Sequence, residues 1–485
     1  MAQRYLLLLG SLFLGSQFLG SQFLGSLFPG SQFLASPFLG STAAADETVS
    51  YYKQVRPIFQ ARCQGCHQPA KASGDYVMTT FEQLLKGGES EETAIKPQDS
   101  AGSYLVDLIT PDAEGKFEMP QGQNAKPLHE TEIALIRRWI DAGAIDDTPA
   151  NARQLFTAEN PPQYSLPPVV SSLDFSPDGQ LLAVTGFHEV LLHRADGSGL
   201  VARLVGVSER VESVAFSPDG KKLAVTGGLP ARMGELQIWN VESQKLENAF
   251  PVTYDTIYGA SWSPDGKLVA VGCSDTALRA IEISTGAEVV YMAAHDDWVR
   301  GTVFSRDGKS ILTVSRDQTV KMTDVKTQRF LGNVTTHTPG VLSGGMNAVD
   351  RHPMRDELVA GGADGAPKLF RMAVKAAPAG GGNPNQIREY SRMRGRVFDV
   401  CFQPDGSKIF AGSSLDGAGQ VRCYQTDSGK DAWNLDVAEG GIFALAAAPD
   451  GKTVAAAGAD GWIRLIDTAS GSITTKFLPV ELTTD

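Results

Sequence analysis

The chain has 485 residues, 42% hydrophobic and 20% charged, and Lys+Arg 43 against Asp+Glu 55 gives a net charge of −12. That length exceeds one compact core, so two or more domains are expected. The acidic balance and the lack of any basic run exclude general nucleic-acid binding, because phosphates would be repelled.

The 51 glycines and 26 prolines point to many turns and to β structure. Five cysteines are too few for a disulfide scaffold.

Residues 1–45 read as a signal peptide. Arg4 precedes a long uncharged apolar tract with a G-S-x-F-L repeat, no acidic residue comes before Asp46, and the tract closes on Ala43-Ala44-Ala45. A positive start, an apolar middle and a small-residue cleavage site are the layout of a secretory signal. The tract is also long enough to cross a bilayer, so a retained anchor that touches the membrane is the alternative. The glycine in each repeat weakens it as a spanning helix. No cysteine precedes Cys63, which removes a lipid-anchored cysteine at the cleavage site. Cleavage would take away only Arg4 and leave −13. The expectation is an exported protein of the periplasm or cell envelope.

In residues 46–150, "VSYYKQVRPIFQARC" places Tyr52, Val55, Ile58 and Phe59 at helical spacing. It runs into "CQGCH": Cys63, Cys66 and His67. Three chemistries use such a cluster. A structural zinc needs four ligands, and no second C-x-x-C lies nearby. A thioredoxin-like dithiol sits between a strand and a helix, and no strand pattern precedes Cys63. Haem attachment fits the spacing: two thiols can each add to one vinyl group of a porphyrin, and the next residue then lies under the iron as proximal ligand. In an exported chain this reading is the best of the three.

The sixth iron ligand would come from Met78, Met119 or His129. Met119 stands in the irregular stretch "KFEMPQGQ", 52 residues past His67, far enough for a helix and a return loop. A thioether there can reach the iron and raises its potential. Met78, in "DYVMTTFEQLL", reads as a packing residue near the haem edge. His129, at the entrance of "LHETEIALIRRWIDAG", reads as a surface or cap-region residue. That last segment puts Ile133, Ile136, Trp139 and Ile140 on one helical face and stops at Gly143. "SAGSYLVDLIT" supplies another short helix.

The ordered landmarks C-x-x-C-H, "SYLVDLI", "MP-x-G" and "EIALIRRWIDAGA" resemble the planctomycete-type cytochrome c domain over about residues 48–146. The resemblance implies a small all-α domain with one covalent haem c and His/Met ligation, here by His67 and Met119. Members often carry a second proline after the methionine, where this chain has Gln121.

A Pro-rich linker, residues 151–168, leads into a repeat. "SLDFSPDGQLLAVTG" recurs as "SVAFSPDGKKLAVTG", "GASWSPDGKLVAVG", "GTVFSRDGKSILTVS", "DVCFQPDGSKIFAGS" and "ALAAAPDGKTVAAAG", with a weaker copy "NAVDRHPMRDELVAGG". The turn aspartates Asp178, Asp219, Asp265, Asp307, Asp356, Asp405 and Asp450 are 41 to 49 residues apart.

Each unit alternates, turns at P-D-G and alternates again, which predicts a hairpin. A third strand follows, as in "ELQIWN", "TVKMTD", "APKLFRM", "QVRCYQT" and "WIRLID", and a fourth precedes the next unit. Four strands at this period predict one propeller blade, and seven units predict an all-β seven-bladed propeller over residues 169–485. Cys273, Cys401 and Cys423 lie in its apolar or alternating stretches and read as small buried hydrophobes.

The repeat resembles the WD40 family in pattern more than in signature. Only Trp239-Asn240 approaches the W-D dipeptide, and His295 in "AAHDDWVRG" occupies the place of the missing G-H pair. Asp275, Asp317, Asp364, Asp416 and Asp460 fall in the turn before the third strand, with an expected structural role.

A second cofactor in the propeller would need an axial His or Tyr. His188, His193, His295, His337 and His352 read instead as single satisfied histidines, and no nucleophile–base pair emerges. The expected function is that of an exported mono-haem electron carrier with a WD40-like platform for protein contacts and a redox protein partner, rather than a catalyst on its own. The alternative is an oxidoreductase whose propeller binds a substrate or second cofactor and exchanges electrons with the haem.

Overall fold

A computed structural model describes residues 48–68, 71–121, 127–149, 156–335, 345–375 and 382–483. The segment read as a signal peptide, part of the linker and His337 lie outside the described residues.

Among the described residues the cysteine-bearing segment has four α-helices and two single helical turns. A π-helical turn, Tyr51–Val55, opens with Ser50 as its cap and runs into α1, Arg56–Arg62, with a proline in its first turn. Proline is tolerated there because the first N–H groups of a helix have no partner to lose. Helix α2, Phe81–Lys86, is capped by Thr80, and α3 spans Tyr104–Ile109.

The longest helix, α4, spans Glu130–Asp141 and begins with a capping box between His129 and Glu132. Its four predicted core residues, Ile133, Ile136, Trp139 and Ile140, are all buried. Trp139 stacks on Tyr51 at 5.1 Å and packs with Phe59, Leu84, Val106 and Ile109 in one apolar core. The segment is not purely helical: β1, His67–Gln68, pairs with β2, Lys71–Ala72, in a minimal antiparallel ladder. Among the described residues no helix is long and apolar enough to cross a membrane.

Among the described residues every sheet of the repeat region is antiparallel. Five sheets have four strands each in sequence order, and one has seven. The predicted third strands are present: "ELQIWN" lies within Met233–Asn240, and the strands Val320–Asp324 and Ile463–Asp467 take up all but the first residue of "TVKMTD" and "WIRLID". The difference from expectation lies in the first two units. The strand Leu200–Phe216 runs unbroken for 17 residues, closing the first unit and opening the second, so both share the seven-stranded sheet. No proline interrupts "LVARLVGVSERVESVAF", and its apolar residues keep both halves pairable. The first strand of each unit packs against that of the next, and that of the seventh against that of the first.

The S-P-D-G turns share one mechanism. Ser176 Oγ donates to Asp178 Oδ1 at 2.5 Å, the Gln180 N–H donates to the same oxygen, and Gly179 takes φ +70. The same bonds recur at Ser217/Asp219, Ser263/Asp265 and Ser305/Asp307. A left-handed turn residue is cheap only as glycine, which accounts for the last letter of the motif. In the weak fifth copy His352 takes over, its Nδ1 accepting from the N–H of both Met354 and Arg355 at 3.0 Å. Residues 48–485 cluster as one compact unit.

Candidate haem-attachment site

Helix α1 delivers the motif. The Cys63 and Gln64 N–H groups both donate to the Phe59 carbonyl at 2.9 Å, which ends the helix. The chain then folds back on itself: the N–H groups of Cys66 and His67 both donate to the Cys63 carbonyl at 3.1 Å. One carbonyl therefore gathers all three residues into a single turn. Two more bonds fix the chain beyond it, Ser73 N–H to the Cys66 carbonyl at 3.0 Å and Met78 N–H to the His67 carbonyl at 2.9 Å.

Both cysteines are half-buried and neither forms a disulfide. Burial pushes the Cys63 thiol up to about 12, so it is a neutral thiol at physiological pH. His67 Nδ1 lies 3.3 Å from the Tyr76 carbonyl, and the two rings are 5.4 Å apart. With Nδ1–H donating to that carbonyl, the ring's lone pair is on Nε2.

Met119 borders the same core. The Leu108 carbonyl at the end of α3 accepts from both Glu118 N–H at 3.2 Å and Met119 N–H at 2.9 Å, which pins the loop. Half-buried Met119 packs against the apolar core that Cys63 also borders. Met78 is buried, 1% exposed, within that core. Its carbonyl accepts from Gln64 Nε2 at 2.8 Å, a packing position against the motif turn. His129 is the exposed N-cap of α4: its Nδ1 accepts from Thr131 N–H at 3.3 Å.

The donor set and its surroundings suit a covalently held porphyrin. Buried polar atoms without a hydrogen-bond partner flank the motif: Gln60 Oε1, Arg62 Nε, Gln68 Oε1 and Thr79 Oγ1. Such atoms are rare in a finished interior and fit a place where a group with its own polar edges belongs. The dithiol alternative needs a thiol with a lowered pKa, and burial has moved Cys63 the other way. Among the described residues no group of three or more His, Cys, Asp or Glu side chains is arranged to hold a metal ion, so the zinc alternative gains no support.

The repeat-region histidines are held singly. His193 Nε2 lies 3.0 Å from the Pro479 carbonyl. His295 Nδ1 is 2.8 Å from Asp317 Oδ2 and its Nε2 is 2.7 Å from Thr313 Oγ1. His188 sits against the Phe187 and Phe156 rings.

The third-strand aspartates do more than bond the loop backbone. Asp275, Asp364 and Asp460 each pair with the cation four residues on: Arg279 at 2.6 Å, Lys368, and Arg464. Asp317 joins Lys321 at 3.8 Å in the same way. A repeated D-x-x-x-[KR] spacing carries these pairs in the sequence. Its charges fall on one side of a turn and strand, and neither helical nor strand periodicity picks them out.

Comparison with known proteins agrees with both halves. The family described as Planctomycete cytochrome C matches residues 63–121. The WD domain, G-beta repeat, matches residues 245–280, 287–324 and 431–467. Among curated proteins, Periodic tryptophan protein 2 of Arabidopsis thaliana is 26% identical over 50% of this chain and 25% of its own length. Eukaryotic translation initiation factor 3 subunit I of Drosophila simulans is 24% identical over 39% of this chain and 57% of its own. U3 small nucleolar RNA-associated protein 15 homolog of Xenopus laevis is 24% identical over 45% of this chain and 47% of its own. The chain thus spans between a quarter and about three fifths of these relatives' lengths. It carries a planctomycete-type cytochrome c segment fused to WD40 repeats.

Proposed function

We propose that the protein is an exported mono-haem c-type cytochrome that transfers electrons and uses a seven-bladed WD40-like propeller as a platform for protein contacts. The observation that carries this reading is the turn at the end of α1, where one carbonyl holds Cys63, Cys66 and His67 together beside a core that Met119 also borders. Cys63 and Cys66 would hold the porphyrin through thioethers, His67 would bind the iron on one side and Met119 on the other. A bound haem would supply one-electron exchange. The chain's part is to orient His67 through the Tyr76 carbonyl, to set Nε2 as the coordinating nitrogen, and to enclose the site in an apolar core that disfavours extra charge.

The successive packing of first strands around to the starting unit supports the propeller reading. A relative whose name calls it a subunit of a larger factor supports its use for protein contacts. The apolar N-terminal tract supports export.

The oxidoreductase alternative has one observation in its favour. A cavity of about 530 Å³ is lined by residues that include Tyr164, His193 and Arg203. Its arginine is already engaged, since Arg203 pairs with Glu189 at 2.6 Å and donates to the Pro162 carbonyl at 2.6 Å. The visible spectrum and metal content of the purified, exported protein decide between the readings. One haem c per chain and no other chromophore or metal is the expected result. A colourless protein after growth with ample haem overturns the proposal, and a second chromophore favours the alternative.

A further inference from the structure

We propose that the edge of the second repeat unit is a built seat for the cysteine turn, so that the haem-bearing segment and the WD40 ring move as one body. The seat is the strand Leu246–Thr253 with the following Tyr254. Gly65, between the two cysteines, lies against it. A side-chain carbon added at Gly65 would stand 3.0 Å from both Cγ and Cδ of Pro251 and 3.2 Å from the Ala249 carbonyl oxygen. A side chain at that position would crowd the strand, which would have to give by a few tenths of an ångström. Pro251 is in turn the only proline in the fourth strands of the described units. A strand edge otherwise invites pairing with another chain, and a proline blunts it.

Two cation–aromatic contacts flank this point. Arg62, the residue before Cys63, places its guanidinium 5.6 Å from the Tyr254 ring centre and pairs with Glu132 of α4 at 3.6 Å. Arg232, on the turn between the second and third strands of the same unit, lies 5.6 Å from the ring centre of Tyr52, and Arg56 lies 5.5 Å from that ring. The turn is aimed by the repeat unit itself, since the Ala231 N–H donates to Asp255 Oδ1 at 3.0 Å. Helix α1 and strand β2 both approach the same strand. Shape at Gly65–Pro251 and charge on aromatic faces on either side thus meet on one unit of the repeat.

The consequence rests on the haem reading: a redox partner captured by the ring would meet the haem at one fixed place, not on a swinging tether. The seat itself does not depend on that reading. The test is amide hydrogen exchange on the full-length exported protein, with its visible spectrum recorded alongside. Gly65→Ala should speed exchange in residues 56–66 and 246–254 on the order of tenfold, with the spectrum kept. Adding Pro251→Ala, which removes the two colliding atoms, should bring exchange back toward the native rate.

A ring-side double variant, Arg232→Ala with Tyr254→Ala, leaves Cys63, Cys66 and His67 themselves unchanged and should free residues 51–62 in the same way. Unchanged exchange in both variants overturns the seat, as does a Gly65→Ala effect that Pro251→Ala fails to rescue. A colourless protein with the exchange pattern intact would instead remove the haem reading and leave the seat standing.

Discussion

A single carbonyl, that of Cys63, organises the candidate site by accepting the N–H groups of Cys66 and His67. Spacing in the sequence is enough to find these residues, because C-x-x-C-H is a local motif and a turn of this kind needs no distant partner. Met119 is legible from its loop and its distance along the chain. The Leu108 carbonyl that holds its backbone is not, since it comes from a different helix. At this scale the proposal predicts that Met119→Ala abolishes the weak long-wavelength absorption that reports iron–sulfur ligation, while covalent haem content stays at the native level. A band that survives the substitution would assign the sixth ligand to another residue. The orienting bond from His67 Nδ1 to Tyr76 belongs to the folded chain, and no pattern of residue types announces it.

At the scale of the element, three of the first strands carry an enclosed carboxylate that fastens its unit to the next. Asp174 Oδ2 accepts the N–H of Phe216 at 2.7 Å, Asp350 Oδ2 that of Phe402 at 2.8 Å, and Asp399 Oδ2 that of Leu445 at 2.7 Å. Burial raises their pKa values to about 7, about 6 and about 7, against the opposing pull of the backbone N–H bonds. A raised carboxyl pKa means that the folded chain holds the proton to higher pH than the unfolded chain. Its contribution to stability is therefore greatest at low pH and is lost as pH climbs from the ordinary value of 3.8 to about 7.

Burial pushes His188, His193 and His352 down, which works in the opposite direction. The carboxylate effect is isolated by comparing variants. Asp399→Asn should flatten the fall in unfolding midpoint between about pH 4 and about pH 7 relative to the native chain. A slope identical to the native one would show that Asp399 does not titrate there. Such carboxylates are hidden in the sequence because a lone aspartate in an alternating strand looks like an outward-facing polar residue.

At the scale of the molecule, the repeat is the most legible feature, since seven turn aspartates at 41 to 49 residues leave little choice of architecture. What repetition cannot show is how the ends are tied. Tyr164 does this in part. Its hydroxyl donates to Glu189 Oε1 at 2.7 Å and accepts the Phe187 N–H at 3.1 Å, while its carbonyl accepts the Thr483 N–H at 2.8 Å. One residue thus touches the first unit and the chain's far end. Tyr164→Phe keeps the ring and loses both hydroxyl bonds, one to a buried carboxylate. It should lower unfolding stability by about 1–3 kcal/mol in a denaturant titration. A midpoint within error of the native protein would show that the hydroxyl is dispensable.

The unbroken strand Leu200–Phe216 gives the molecule a seamless corner. Elsewhere neighbouring units are separate sheets, but here one strand belongs to both, pairing with the first unit through residues 200–205 and 210 and with the second through residues 210–216. Breathing should therefore begin in units away from this corner, and the cytochrome segment lies against the sheet that the first two units share.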